Sequence, residues 1–350
     1  MPRIYLDHAA TTPMTPAARA AMAEAAAIWA NPSSPHAEGR AARAALEDAR
    51  RRIAAAYGWT GEVILTSGAS EALALALTRT QGAHRRITAV EHDAVFRAAA
   101  DAEVLRVDAN GQLADIPVAA DTLTCVQWAN SETGVRQPIA AIADALHDAG
   151  GLLLVDAAQM PAGVDADIAK ADFIAVSAHK RGGPPGIGAL LVRDLGRLMP
   201  TGGQERGYRP GTENVPAAIG WAAALAEAED VSAMAALRTR LDDAILRSGG
   251  DVVAAAAARH PAIGSYRLPG VASAAQLIRL DLAGFAVSAG SACSSGSMKP
   301  SHVLAALGYS EEAGREVIRV SFGRTTTAAE VDAFIAAWRN VARATRSFAA

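Results

Sequence analysis

Cysteine is almost missing from this chain: only Cys125 and Cys293 occur among 350 residues. Two cysteines build no disulfide framework in a chain of this size, and there is no CxxC pair, so any cysteine chemistry involves a free thiol. An excess of basic charge is missing too. Lys plus Arg number 33 against 36 Asp plus Glu, a formal charge of −3, which gives no support for a nucleic-acid-binding surface. The cluster Arg50, Arg51 and Arg52 reads as a solvated helix face. No apolar run reaches the length of a membrane span. The opening MPRIYLDHAATTP is interrupted early by Asp7 and His8 and is not signal-like. The expectation is a cytoplasmic protein that works on neither nucleic acid nor membrane, with no metal ligand set. What the chain has is apolar mass. It is 51% hydrophobic and 20% charged, enough for a sizeable core and two domains.

The most informative stretch runs from Ala171 to Val192. Phe173 to Val176 is a buried-strand pattern, Ala189 to Val192 resumes one, and between them lie Ser177, His179 and Lys180 followed by a glycine- and proline-rich turn. A lysine on such a loop is either a surface residue of a hairpin or a lysine that holds a cofactor aldehyde as a Schiff base. Asp156 favours the second reading. It closes the apolar strand Leu152 to Val155, where open α/β sheets place ligand contacts, and a buried carboxylate there calls for a cation such as a protonated pyridine nitrogen.

The rest of the chain alternates strands with helices. Strands are expected at Glu62 to Thr66, Arg86 to Val90, Val104 to Val107 and Leu123 to Gln127, and helices at Ala17 to Trp29, Arg40 to Tyr57, Ala94 to Ala100 and Ile139 to Ala149. That alternation argues for a mostly parallel sheet covered on both faces. Ser67-Gly68-Ala69-Ser70 between a strand and a helix is either a phosphate cradle or a simple capped turn. His92 and Asn130 each follow a strand end. His92 is open to stacking on a cofactor, to proton transfer or to a structural role. Ser67, His92, Asn130, Asp156 and Lys180 therefore fall along one sheet edge.

Thr201 to Asn214 is a polar glycine-rich segment in which Gly211 and Thr212 offer phosphate donors, and Ser34 and His36 sit on another loop. Val215 to Met234 reads as one long helix continued by Ala235 to Leu246, with a domain boundary near residue 235, and Ala254 to Ala258 reads as helix. Cys293 lies in AVSAGSACSSGSM, a segment with the composition of a flexible loop, where a usually buried residue calls for a chemical reason. Cys125 is explained as a small apolar strand residue. Arg319 in the strand Val317 to Phe322 either grips a carboxylate or forms an ion pair.

YLDHAATTP, NPSSPH, TSGASE, the Glu91-His92 pair, NSETG, VDAAQ, SAHKRGGPPGIG, GGQERGYRPGTEN, SAGSACSSG and IRVSFG, from Tyr5 to about Thr327, together resemble the cysteine desulfurases of the class V aminotransferase superfamily. The segment around Cys293 is similar to that of the housekeeping and nitrogen-fixation branch. The resemblance implies a fold-type I pyridoxal phosphate enzyme. Such an enzyme has a three-layer αβα large domain around a mostly parallel seven-stranded sheet and a smaller α+β C-terminal domain. Residues 16–235 would form the first, and residues 1–15 with 236–350 the second.

It further implies pyridoxal 5'-phosphate on Lys180, Asp156 at the pyridine nitrogen, Gln159 at the phenolic oxygen and His92 stacked on the ring. Ser70, Ser177 and His179 would hold the phosphate, with Thr212 reaching it from the neighbouring subunit of a homodimer. Asn130 and Arg319 would bind the carboxylate of L-cysteine, and Cys293 would accept its sulfur for delivery to an acceptor or iron–sulfur scaffold protein. Ser70 stands where threonine is usual, Leu73 and Ala74 replace polar residues, Ala289 replaces a common serine, and the chain stops soon after its last helix, where longer members carry a scaffold-docking extension. The rival is another class V enzyme: a selenocysteine lyase, an aminotransferase or an epimerase. An accessory protein that kept only the fold would be expected to have lost Lys180 or Asp156.

Overall fold

The computed structural model describes residues 3–82, 84–116, 118–289 and 300–346. Its strands are β1 (Ile4–Tyr5), β2 (Glu62–Thr66), β3 (His84–Thr88), β4 (Glu103–Leu105), β5 (Thr122–Gln127), β6 (Leu152–Asp156), β7 (Phe173–Ser177), β8 (Gly188–Val192), β9 (Asp251–Val252), β10 (Ile263–Arg267), β11 (Phe285–Ala286), β12 (Ser288–Ala289) and β13 (Val317–Ser321). The longer helices are α1 (Pro16–Ala25), α2 (Ala37–Ala56), α3 (Ala69–Arg79), α4 (Asp93–Ala98), α5 (Ile139–Asp148), α6 (Val215–Leu225), α7 (Val231–Arg247) and α8 (Ser273–Leu282). After them come α9 (His302–Ala306), α10 (Glu311–Gly314) and α11 (Ala328–Arg346).

The large sheet has seven strands in the order β2-β8-β7-β6-β5-β3-β4. β8 runs antiparallel to β2 and β7, while the pairs from β7 across to β4 are parallel. The central strands are buried on both faces, so LLLVD and FIAVS are continuous apolar runs with no polar alternation. Alternate residues still divide between two cores. Leu153, Val155, Ile174 and Val176 pack with Leu46 and Ile53 of α2, Ile142 of α5 and Trp221 of α6. Leu154, Phe173, Ala175 and Leu190 pack with Leu73 and Leu77 of α3 and Val95 of α4. The result is three layers, helix on sheet on helix. Cys125 sits in the second core and burial pushes its thiol well up, which suits an inert packing residue.

The smaller C-terminal domain is α+β. Its four-stranded antiparallel sheet has the order β12-β13-β10-β9 and packs against α7, α8 and α11 through Leu241, Leu280, Phe334 and Trp338. The N-terminal segment joins this core. β1 pairs in parallel with β11, Leu6 is fully buried, and Asp7 bridges to Ser321 of β13.

Three local expectations are corrected. The helix expected from Val215 to Met234 stops at Leu225, because Asp230 caps a new helix by accepting from the Ala233 N–H at 2.9 Å. The alanine run 254–258 is a turn leading into irregular chain, not a helix, with Ala254 at φ 51°. The chain there leaves β9 and bridges at Arg259 to Val135, and that path overrides alanine's helix propensity. Arg50 is no solvated residue: it is 7% exposed and buried against Glu205.

Candidate active site

The carboxyl ends of β2, β3, β5, β6 and β7 share one sheet edge, and a cavity of about 430 Å³ opens there. Ser67, Ser70, His92, Asp156, Gln159, Ser177, His179 and Lys180 all line it. Eight polar residues foreseen for a site thus converge from four separate segments.

Each is positioned by its element. Asp156 is the last residue of β6, and its Oδ1 accepts from the Ala158 N–H at 3.0 Å. Burial pushes its carboxyl up from the usual range, while Ala158, His92 and Lys180 pull the other way. Lys180 lies in a short 3-10 turn closed by Gly182 at φ 80°. A Cβ at Gly182 would also stand 2.8 Å from Thr15 Cγ2, so glycine is required there twice over. Lys180 Nζ donates to the Ala9 carbonyl at 2.6 Å, and Gln159 Nε2 donates to the same oxygen at 3.0 Å. His92 caps α4: its Nδ1 accepts from the Ala94 N–H at 3.1 Å, which leaves Nε2 as the protonated nitrogen of the neutral ring. His179 Nδ1 lies 3.1 Å from Thr11 Oγ1. Burial, reinforced by the neighbouring Lys180 charge, lowers its pKa to about 4, so the ring is neutral at physiological pH.

The first turn of α3 faces the same space. Gly68 at its start supplies no side-chain cap, so the N–H groups of the first turn are available to an anion. β8 passes close by: a Cβ on Gly188 would lie 2.7 Å from Gly68 Cα, and only glycine fits. Glu71 bonds the Ser67 N–H at 2.6 Å and Arg209 at 2.8 Å. Burial raises the Glu71 carboxyl, but Arg209 and Ser67 outweigh it and hold the group below its ordinary value.

Three foreseen residues stand outside the cavity wall. Asn130 is buried, with Nδ2 donating to the Val90 carbonyl at 3.0 Å and Oδ1 accepting from the N–H groups of Glu132 and Thr133, while its neighbours Ala129 and Ser131 line the cavity. Arg319 is 1% exposed behind Ser131, donating to the Ser131 carbonyl at 2.9 Å and to Asp7 Oδ1 at 2.8 Å. Thr212 is exposed and not part of the wall. Of the loop residues, His36 caps α2 by accepting from the Gly39 N–H. Cys293 lies outside the described residues.

The sequence reading missed the Ala9 carbonyl, the Arg209–Glu71 contact and Glu91. Glu91, the residue before His92, is fully buried, with Oε1 accepting from Thr88 Oγ1 at 2.6 Å and from the Gln127 N–H at 2.9 Å. Its Oε2 has no partner among the described residues, and burial pushes the carboxyl up to about 8. Adjacency to His92 was the one available signal.

The arrangement joins a primary amine, an acid at a strand end, an imidazole and an N–H-rich helix start. It can bind a carbonyl compound through the amine, pair its acid with a ring cation and hold a phosphate. Comparisons with known proteins agree in kind. The family described as aminotransferase class-V matches residues 4–334. A cysteine desulfurase of Gluconacetobacter diazotrophicus is 37% identical, over 95% of this chain and 91% of its own. The NifS-like protein of Rickettsia africae superimposes with a TM-score of 0.86 at 29% identity, covering 97% of this chain and 99% of the other. A structure titled "SspA in complex with cysteine" does so with a TM-score of 0.79 at 29% identity, covering 93% and 100%.

Proposed function

The chain belongs to the cysteine desulfurase group of the class-V aminotransferase family, with the fold-type I architecture of pyridoxal phosphate enzymes, and on that premise we propose that it converts L-cysteine to L-alanine and passes the sulfur through Cys293 to an acceptor. The observation that carries this reading is the convergence of Lys180, Asp156, His92 and Gln159 with the first turn of α3 in one cavity. These residues fit pyridoxal 5'-phosphate. Lys180 would hold its aldehyde carbon, Asp156 its ring nitrogen, Gln159 its phenolic oxygen and His92 its ring face. Ser70, Ser177 and His179 would hold its phosphate, joined by Thr212 of a second subunit. When bound, the cofactor supplies an electron sink for the substrate Cα.

Within that frame the side chains have separate tasks. Asp156 suits a cationic nitrogen because its buried carboxylate gains a counter-charge there. Lys180 Nζ takes and returns the proton at the substrate Cα, with His92 as the second proton carrier. Arg319 and Asn130 orient the substrate carboxylate. Cys293 attacks as the thiolate: a bond forms between its sulfur and the substrate sulfur, the substrate carbon–sulfur bond breaks, and protonation of that carbon gives the methyl of alanine. The enzyme is left as a persulfide, and a thiol or acceptor protein removes the outer sulfur. An iron–sulfur scaffold protein is one such acceptor. A cytoplasmic homodimer suits this role; no helix among the described residues is long and apolar enough to cross a membrane.

The test is to mix cofactor-loaded protein with L-cysteine and a thiol reductant and to quantify alanine and sulfide for the wild type and for Cys293→Ala. Both products from the wild type and neither from the variant, with cysteine still bound, are expected. Transamination or racemisation that ignores Cys293→Ala would move the assignment to another class V activity.

A further inference from the structure

Arg319 lies on β13, at the centre of the small sheet, with its side chain only 2% exposed. A guanidinium buried to this degree needs a counter-charge, and Asp7 provides it at 2.8 Å. The other terminal nitrogen is taken by the Ser131 carbonyl, and Ser131 itself lines the cavity. Nε has no partner among the described residues. A substrate carboxylate arriving at Arg319 brings a second negative charge. Two carboxylates on one buried guanidinium leave an uncompensated charge, so one must go.

The two present partners differ in their freedom to leave. The Asp7 side chain is 19% exposed and can turn toward solvent while its backbone stays bridged to Ser321, just after a two-residue strand. That segment already belongs to the site, because the Ala9 carbonyl two residues on accepts from Lys180 and Gln159. The Ser131 carbonyl is fixed by the tight turn built around Asn130.

We propose that Asp7 is an internal stand-in for the substrate's α-carboxylate: it holds Arg319 until an amino acid binds, is exchanged for the ligand, and thereby sets the affinity of the site. This rests on the reading of Arg319 as the carboxylate-binding residue. The exchange conserves one ion pair, so it is close to neutral, and the ligand gains less than it would from an unopposed arginine. Asp7 is then an affinity-setting residue and not a group that orients Arg319 for binding. The two roles predict opposite signs.

The experiment measures binding of L-alanine, which carries the carboxylate but no transferable sulfur, to the cofactor-loaded enzyme by the change in cofactor absorbance. Ethylamine, which lacks the carboxylate, is the control ligand. Asp7→Asn and Asp7→Ala are expected to bind L-alanine about tenfold more tightly, with ethylamine unchanged, the size of a typical coupling between two binding events. Arg319→Gln should weaken L-alanine alone. Unchanged or weaker L-alanine binding in both Asp7 variants, while Arg319→Gln weakens it, overturns the exchange and leaves the carboxylate reading standing. No effect of Arg319→Gln removes the carboxylate reading, and the exchange with it. The wild type gives an independent check: in crystals soaked with L-alanine, Asp7 should have left Arg319, and retention of their contact beside bound ligand contradicts the proposal.

Discussion

Two sets of buried charges lie in the large domain, and they are treated differently. Arg50 and Glu205 form a bidentate pair at 2.6 and 3.1 Å, and each is also bonded to the backbone of β2: Arg50 to the Val63 carbonyl, Glu205 to the Leu65 N–H. This pair ties the segment 201–214 to the sheet. Asp156 lines the cavity, Glu91 is buried outside its wall, and the Asp156 charge adds to the rise at Glu91. Burial raises both carboxyls, and Glu91 keeps an oxygen without a partner among the described residues. A charge that builds the fold arrives with its counter-charge in the same chain. A charge that serves chemistry is left under-compensated, so that something else completes it.

Substitutions sharpen this contrast. The largest effect on stability is expected at the complete pair: Arg50→Ala or Glu205→Ala strands a buried charge and should cost about 3–5 kcal/mol in denaturant unfolding. The same experiment on the apoprotein of Asp156→Asn should show no loss, since it removes a carboxylate that burial disfavours. Alanine formation from L-cysteine by that variant should nonetheless fall about 10²–10³-fold. An Asp156→Asn protein as destabilised as Arg50→Ala would erase the distinction.

A pH-dependent effect is expected from Glu91. Its pKa rises from 4.5 to about 8 on folding. Between those values the native protein holds a proton that the unfolded chain has released, so stability falls as pH rises across that window. Glu91→Gln should flatten the slope in urea unfolding curves recorded from pH 5 to pH 8 and be the more stable protein at the upper end; an unchanged slope would place the titration elsewhere. The smallest change is Ser70→Ala, which removes one hydroxyl from the helix start and should weaken cofactor binding about tenfold in a fluorescence titration, leaving unfolding of the apoprotein within error.

Legibility in the sequence follows the same division. The buried strands announce themselves because parallel strands covered on both faces are apolar throughout, and Asp156 stands out as the acid that ends such a run. Lys180 stands out because glycine and proline mark its loop. The sheet covered on both faces followed from the alternation of strands and helices, and the site edge from polar residues just past the strand ends. What stayed hidden depends on contacts across long sequence separations. Nothing near Arg50 announces Glu205, 155 residues away, and nothing near Asp7 announces Arg319, 312 residues away. Backbone groups such as the Ala9 carbonyl carry no side-chain signature at all. The break before Val231 was hidden for another reason: alanine-rich sequence favours helix on both sides, and a single aspartate cap decides where one helix stops and the next begins.

The chain has three lysines, Lys170, Lys180 and Lys299, which permits a direct test of the site. Protein loaded with pyridoxal 5'-phosphate would be reduced with borohydride, which fixes the cofactor to the lysine that holds it, then digested and mapped by mass spectrometry. The label is expected on Lys180 alone, at one per chain. A label on Lys170 or Lys299, or no label on protein saturated with the cofactor, would contradict the placement of the cofactor in the cavity between Asp156 and α3.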